Sequence, residues 1–136
     1  MSLQAIRLGR SAFSAITDTP IYLTAVLTTD GNYGTLTKAG AGYQVTAGKT
    51  LYIIGCKGFS TAIVGVLMGY GDTSVNDGAT PPTTPIFVDN AFIGMETAFK
   101  LIEPQNVLGI IPATKFPFVR VKTTGVTYVT AWGYEV

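Results

Sequence analysis

Apolar and polar residues alternate with a period of two over much of this chain, the pattern of β-strands that bury one face. The C-terminal segment shows it most clearly: Val126, Tyr128, Trp132 and Tyr134 fall on one face, and Thr127, Val129, Ala131, Gly133 and Glu135 on the other. A strand of this length at the end of the chain is expected to pair on both sides. Ile21, Leu23, Ala25 and Leu27 alternate in the same way with Tyr22, Thr24, Val26 and Thr28. That strand is expected to bury its first set and to leave a face that is only semi-polar. Such a face suits a subunit contact, with Tyr22, Val26 and Tyr134 as candidate interface residues. The run from Ala62 to Tyr70 is apolar without alternation. It predicts a strand covered on both faces, and it is far shorter than the roughly 20 residues of a membrane-spanning helix.

Applied to the whole chain, the pattern predicts strands near residues 3–8, 11–17, 20–28, 33–37, 42–46, 50–59, 61–71, 85–89, 95–102, 106–111, 116–123 and 125–135. The β-branched residues Thr, Val and Ile supply 43 of the 136 positions, which favours pleated surfaces. Asp30-Gly31-Asn32-Tyr33-Gly34 has the residues of a hairpin turn, and residues 33–50 read as a hairpin around Lys38-Ala39-Gly40-Ala41-Gly42. Two further turns resemble each other, Val45 to Ile53 and Ile111 to Val119. Each runs from an apolar residue through small residues and a lysine into an apolar strand, as equivalent corners of two facing sheets would. Residues 71–85, rich in Pro, Thr and Asp, read as an exposed loop. Many short strands at this spacing imply one domain over 1–136, an all-β, antiparallel, jelly-roll-like β-sandwich. Residues 1–18 are expected to form an N-terminal docking arm or an edge strand.

Charge changes this picture. Only 12% of the residues are charged and 47% are apolar, against about 25% charged in an ordinary soluble domain. The chain has too little charge to cover its own surface, so copies of itself are expected to cover the rest. Net charge is +1, with nine Lys and Arg scattered from Arg7 to Lys122. No basic patch forms, and no direct nucleic-acid partner is expected. The first ten residues lack the apolar core of a secretory signal, which predicts synthesis in a cytoplasm. Cys56 is the sole cysteine, and its apolar neighbours predict a buried small hydrophobe over a reactive thiol.

The chain contains no histidine, which excludes His-based triads and His-ligated zinc, iron and copper. Residues 42–50 look superficially like a phosphate-binding loop, but five residues separate Gly42 from Gly48 where the motif needs four. Asp72, Asn76, Asp77, Asp89 and Asn90 could offer oxygen to Ca²⁺, yet their spacing matches no defined Ca²⁺ loop. They read as solvated turn residues. Glu96 and Glu103 form no recognisable glycosidase pair, and neither catalysis nor a cofactor is expected. Tyr70 with Asp72, or Trp132 with Tyr134, could make an aromatic sugar platform. The favoured reading instead places Trp132 in the sandwich core and Tyr134 at a subunit contact. The loop offers Tyr70, Asp72 and Asp77 as a candidate contact site, since loops carry function disproportionately. At the start of the chain Leu3, Ile6, Arg7, Leu8 and Arg10 make either a solvated edge or a docking arm for a larger shell.

Four segments carry a family resemblance: Ala47-Gly48-Lys49-Thr50-Leu51-Tyr52-Ile53; Met68-Gly69-Tyr70-Gly71-Asp72 followed by Thr80-Pro81-Pro82-Thr83-Thr84-Pro85; Ile111-Pro112-Ala113-Thr114-Lys115-Phe116-Pro117-Phe118-Val119; and Ala131-Trp132-Gly133-Tyr134-Glu135. With these, residues 45–136 resemble small virion structural proteins of tailed bacteriophages, in particular jelly-roll capsid decoration, or cement, proteins. The resemblance implies homotrimers on the capsid surface of the virion, seated at local three-fold points. There they would clamp the major capsid protein against internal DNA pressure, without enzymatic activity or membrane contact. The alternative is a carbohydrate-binding receptor-recognition module of a tail fibre or spike, using residues 70–90 as its platform. A weaker one is a cellular trimer resembling tumour-necrosis-factor ligands.

Overall fold

The computed structural model describes residues 20–88, 96–102, 108–122 and 125–136. They form ten strands: β1 (Ile21–Leu27), β2 (Tyr33–Thr35), β3 (Thr37–Lys38), β4 (Ala41–Gly42), β5 (Leu51–Gly71), β6 (Ile86–Phe87), β7 (Glu96–Ile102), β8 (Gly109–Ile111), β9 (Phe116–Lys122) and β10 (Thr127–Glu135). Every pairing is antiparallel, and no helix occurs among the described residues. The expected strands at 3–8 and 11–17, like the proposed arm, lie outside the described residues.

Strand β5 organises the rest. Its first half pairs with β10 from Leu51 to Ser60, and its second half pairs with β9 from Gly65 to Gly71. The two strands expected at 50–59 and 61–71 are thus one continuous strand shared by two sheets. The first sheet runs β4-β3-β1-β10-β5, with β8 and β7 along the far edge of β5. The second runs β2-β9-β5-β6. The first described strand therefore lies beside the last, and β2 beside β9, the interleaving that makes a sandwich jelly-roll-like. β10 pairs on both sides, with β1 and β5, as its length predicts.

Alternation sends one side of each sheet inward. Leu23, Ala25 and Leu27 of β1, Leu51, Ile53 and Cys56 of β5, and Val129 and Ala131 of β10 meet Val66 and Met68 of β5 and Val119 and Val121 of β9 in a single buried cluster. Burying the Leu, Ile, Val and Met side chains among them stabilises the fold by roughly 1.5–3 kcal/mol each. The outer side of the second sheet is also partly covered. Phe118 is fully buried there, its ring 5.7 Å from Tyr33 and 5.5 Å from Phe87.

The Asp30-Gly31 turn does not close a hairpin, because β1 pairs with β10 and β3 while β2 pairs with β9. It carries the chain from one sheet to the other. Lys38 and Ala41 do pair across a two-residue turn, with φ of 52° at Ala39 and 83° at Gly40. Positive φ at both central residues is the turn whose twist suits adjacent strands. The strand expected at 42–46 stops at Gly42, and the segment that follows makes a corner. There Val45 N–H donates to the Lys115 carbonyl at 3.0 Å, and Thr114 N–H donates to the Val45 carbonyl at 2.8 Å. The two look-alike turns therefore do feed the two sheets, one into β5 and the other into β9, and they bond to each other.

Candidate functional site

Among the described residues, the outer face of the first sheet carries most of the exposed large apolar side chains, with Ile86 and Phe87 of β6 exposed elsewhere. Register fixes its layout across β1, β10 and β5. Tyr22, Trp132 and Gly55 form one row; Thr24, Thr130 and Lys57 the next; Val26, Tyr128 and Phe59 the third. Burial of Leu23, Ala25, Leu27, Val129, Ala131 and Cys56 on the opposite side directs all nine positions outward. Tyr22 is 59% exposed, Val26 48%, Phe59 54% and Tyr128 50%. Rings pair across the strands, Tyr22 with Trp132 at 6.3 Å and Phe59 with Tyr128 at 6.4 Å between centroids.

A bulge between Trp132 and Gly133 shifts the register beyond this grid. There Tyr134 stands opposite Tyr52, and Ile110 pairs with Tyr52 on its other side. Leu51 and Ile53 are buried in the core, so Tyr52, Tyr134 and Ile110 continue the outer face. The three rows carry one charge, Lys57, and no carboxylate. Their chemistry is that of a surface which gains by being covered, with a hydroxyl row for polar contacts.

The sequence-derived interface residues Tyr22, Val26 and Tyr134 all belong to this face. Phe59, Tyr128 and Trp132 are the parts that the interface residues named from sequence left out. Trp132 does not fill the core: it lies outside the first sheet, beside Tyr22 and across Gly55. Phe59 was legible through Lys57, since two residues apart in a strand means the same face. Cys56 is buried as expected, and burial pushes its thiol up to about 12.

The loop candidates do not assemble into one site. Tyr70 is half-buried against the core. Asp72 is paired with the Lys115 ammonium, whose hydrogen bond holds the carboxyl below its ordinary range. Asp77 accepts from Asn32 Nδ2 at 2.8 Å, from the Thr28 N–H at 3.1 Å and from the Thr28 hydroxyl. Burial pushes its carboxyl up, but these donors outweigh burial and hold it low. Further bonds pin the loop along β2: Val75 N–H donates to Thr35 Oγ1 at 2.8 Å, and Tyr33 and Gly78 exchange backbone bonds. Asp89, Asn90 and Glu103 lie outside the described residues, as do Leu3, Ile6, Arg7, Leu8 and Arg10. Among the described residues no group of three or more His, Cys, Asp or Glu is placed to hold a metal ion.

Glu135 Oε1 accepts from the Tyr43 hydroxyl at 2.6 Å and from the Thr46 N–H at 2.7 Å, tying the end of β10 to the first corner. On the outer side of the second sheet a shallow hollow of about 280 Å³ is lined by Gly65, Leu67, Arg120, Val121 and Lys122. Its guanidinium lies 5.2 Å from the Tyr33 ring centroid and donates to the Gly31 carbonyl at 3.3 Å.

No protein-family model matches the chain, and no curated protein matches it. Among solved structures, the chain is similar to one in the acidic stable capsid structure of Helicobacter pylori bacteriophage KHP30. The two are 10% identical, with a TM-score of 0.43, over 88% of this chain and 94% of that one.

Proposed function

We propose that this chain is a non-enzymatic virion structural protein of a tailed phage. Specifically, it is a capsid decoration or cement protein that binds and stabilises the major capsid shell as a homo-oligomer. The observation that carries the reading is the open aromatic face of the first sheet, on a chain with too few charges to cover itself. The jelly-roll-like strand order and the resemblance of residues 45–136 to cement proteins support it. Many weak contacts per copy, multiplied by valency, give avidity without any catalytic group. A protein that binds the assembled shell and not free capsid subunits favours the shell by mass action. Its place is then the capsid surface of the virion, after synthesis in the host cytoplasm.

The test adds the purified chain to capsid shells that lack it. Saturable binding and a higher temperature of shell disruption are expected, and shells that neither bind it nor gain stability would overturn the reading.

A second reading draws on one observation, the Tyr22–Trp132 ring pair beside a row of hydroxyls. Flat rings next to hydrogen-bonding groups suit a sugar, so this face, and not Tyr70, would be the platform of a tail-fibre or spike module. Glycan binding that Trp132→Ala abolishes, with the fold intact, would favour it.

A further inference from the structure

We infer that the outer face of the first sheet is covered by the same face of a second copy of this chain, across a two-fold axis that runs parallel to β10. This deepens the reading above and rests on it only in taking the chain to be an assembly subunit. Area, shape and charge each point to a second copy.

Aromatic side chains bury about 150–250 Å² when fully covered, so half-exposed Tyr22, Phe59 and Tyr128 leave about 300 Å² open. Val26 and the uncovered part of Trp132 bring the apolar patch to about 400 Å². A standard interface buries about 800 Å² per partner, a little over half of it apolar. The patch therefore has about the apolar area that one partner of a stable dimer supplies.

The arrangement of side chains is complementary to itself. An axis between the two sheets and parallel to β10 lays β1 of one copy over β5 of the other, with β10 over β10. Val26 then meets the partner's Phe59, small against large. Tyr22 meets the partner's position 55, which has no side chain of its own and across which the indole of Trp132 reaches. Tyr128 and Trp132 lie nearest the axis and meet their own copies. Facing sheets stack about 10 Å apart with strands about 30° from aligned, so this matching holds best near the axis.

Charge selects this axis over the other. Laying the strands crosswise on a two-fold through the middle row would set Lys57 on the partner's Lys57 and desolvate two like charges. The axis parallel to β10 sets each Lys57 on a Thr24 hydroxyl, which accepts its hydrogen bond. A three-fold assembly joins two different patches, whereas a single patch that matches itself makes a two-fold contact. The homotrimer implied by the family resemblance is accordingly replaced here by a dimer.

The test is the mass of the full chain in solution, by light scattering over a range of concentrations, for the native sequence and for Tyr128→Lys, Val26→Lys and Thr24→Glu. The native chain is expected at twice 14.3 kDa. Tyr128→Lys sets two ammonium groups together near the axis and is expected to weaken dimerisation at least tenfold with an unchanged circular dichroism spectrum. Val26→Lys, at the rim of the patch, gives the same answer should Tyr128→Lys fail to fold. Thr24→Glu places a carboxylate against the partner's Lys57 and is expected to tighten the dimer. A trimer overturns the inference, and so does a dimer that the lysine variants leave intact. A native monomer, whether its face is bare, sugar-binding or covered by its own residues 1–19, overturns it as well. Shell binding measured on the same samples separates the two claims: a dimer that ignores shells keeps the inference and removes the capsid reading.

Discussion

Trp132 occupies the volume that a side chain on Gly55 would need. A Cβ at residue 55 would stand 2.2 Å from both Cε2 and Cζ2 of the indole, and the two residues are directly paired between β10 and β5. Glycine on one strand lets the largest side chain of the other lie low across the sheet, next to Tyr22. The open face owes its relief to that pair.

Gly55→Ala is therefore expected to lift the indole away from the sheet. Overpacking of this kind costs about 1–3 kcal/mol, because the ring must leave its seat on residue 55. Trp132 is the sole tryptophan, so the emission maximum of the variant reports the ring alone and is expected to move to longer wavelength. An unshifted spectrum with unchanged stability would mean that the indole does not rest on residue 55.

Phe118 fills a different place, the outer side of the second sheet between Tyr33 and Phe87. It is fully buried there, and a Cβ on Gly69 would lie 2.6 Å from its Cζ. Phe118→Ala removes a ring whose neighbours are held by strand pairing and cannot close the space. A loss of about 3–5 kcal/mol is expected from urea unfolding. A loss below about 1 kcal/mol would indicate that the segment after Thr73 collapses onto the sheet.

Strand alternation was readable wherever one side chain type marks the core. Leu23 and Ala25 in β1, and Val129 and Ala131 in β10, alternate with larger or more polar residues, and both strands emerge as expected. The inner and outer sides of β10 were harder, because Tyr128, Trp132 and Tyr134 are the bulkier set and yet face outward. Size favoured a buried Trp132, but the inward positions Val129 and Ala131 already fill the core, and Gly55 offers the indole a seat outside. Asp30-Gly31 has the composition of a hairpin turn, since composition fixes a turn's dihedrals but not which strands it joins. Asp77 looked solvated for a similar reason: its donors, Thr28 and Asn32, are far away in sequence and meet it only through the path of the loop.

Cys56 yields a prediction about reactivity. Its side chain is fully buried in the core and its thiol is pushed up to about 12 by burial, so the thiolate that reacts with disulfide reagents is scarce at neutral pH. In the folded chain the thiol is expected to resist an aromatic disulfide reagent at pH 8 for as long as the protein stays folded, and to react at once in denaturant. Prompt reaction without denaturant would show that the core opens locally around β5.

Acid is expected to destabilise the chain through Asp77 and Glu135. For Asp77, burial is outweighed by donors from Thr28 and Asn32, and the carboxyl sits below its ordinary 3.8. For Glu135, burial is outweighed by the Thr46 N–H and the Tyr43 hydroxyl, and the carboxyl sits below its ordinary 4.5. Each group binds its proton more weakly folded than unfolded. The stability each contributes is thus complete above the unfolded value and is lost as pH falls through the folded one. The exposed Asp72–Lys115 pair acts in the same direction with a smaller effect. Urea midpoints are expected to be flat from pH 7 to about 5 and then to fall steadily with further acidification. Asp77→Asn combined with Glu135→Gln removes both carboxylates. The pair of substitutions should lower the unfolding free energy at pH 7, by about 1–3 kcal/mol per lost charged hydrogen-bond acceptor, and flatten the acid limb. Parallel acid limbs in the native chain and the double variant would assign the acid sensitivity to other carboxylates.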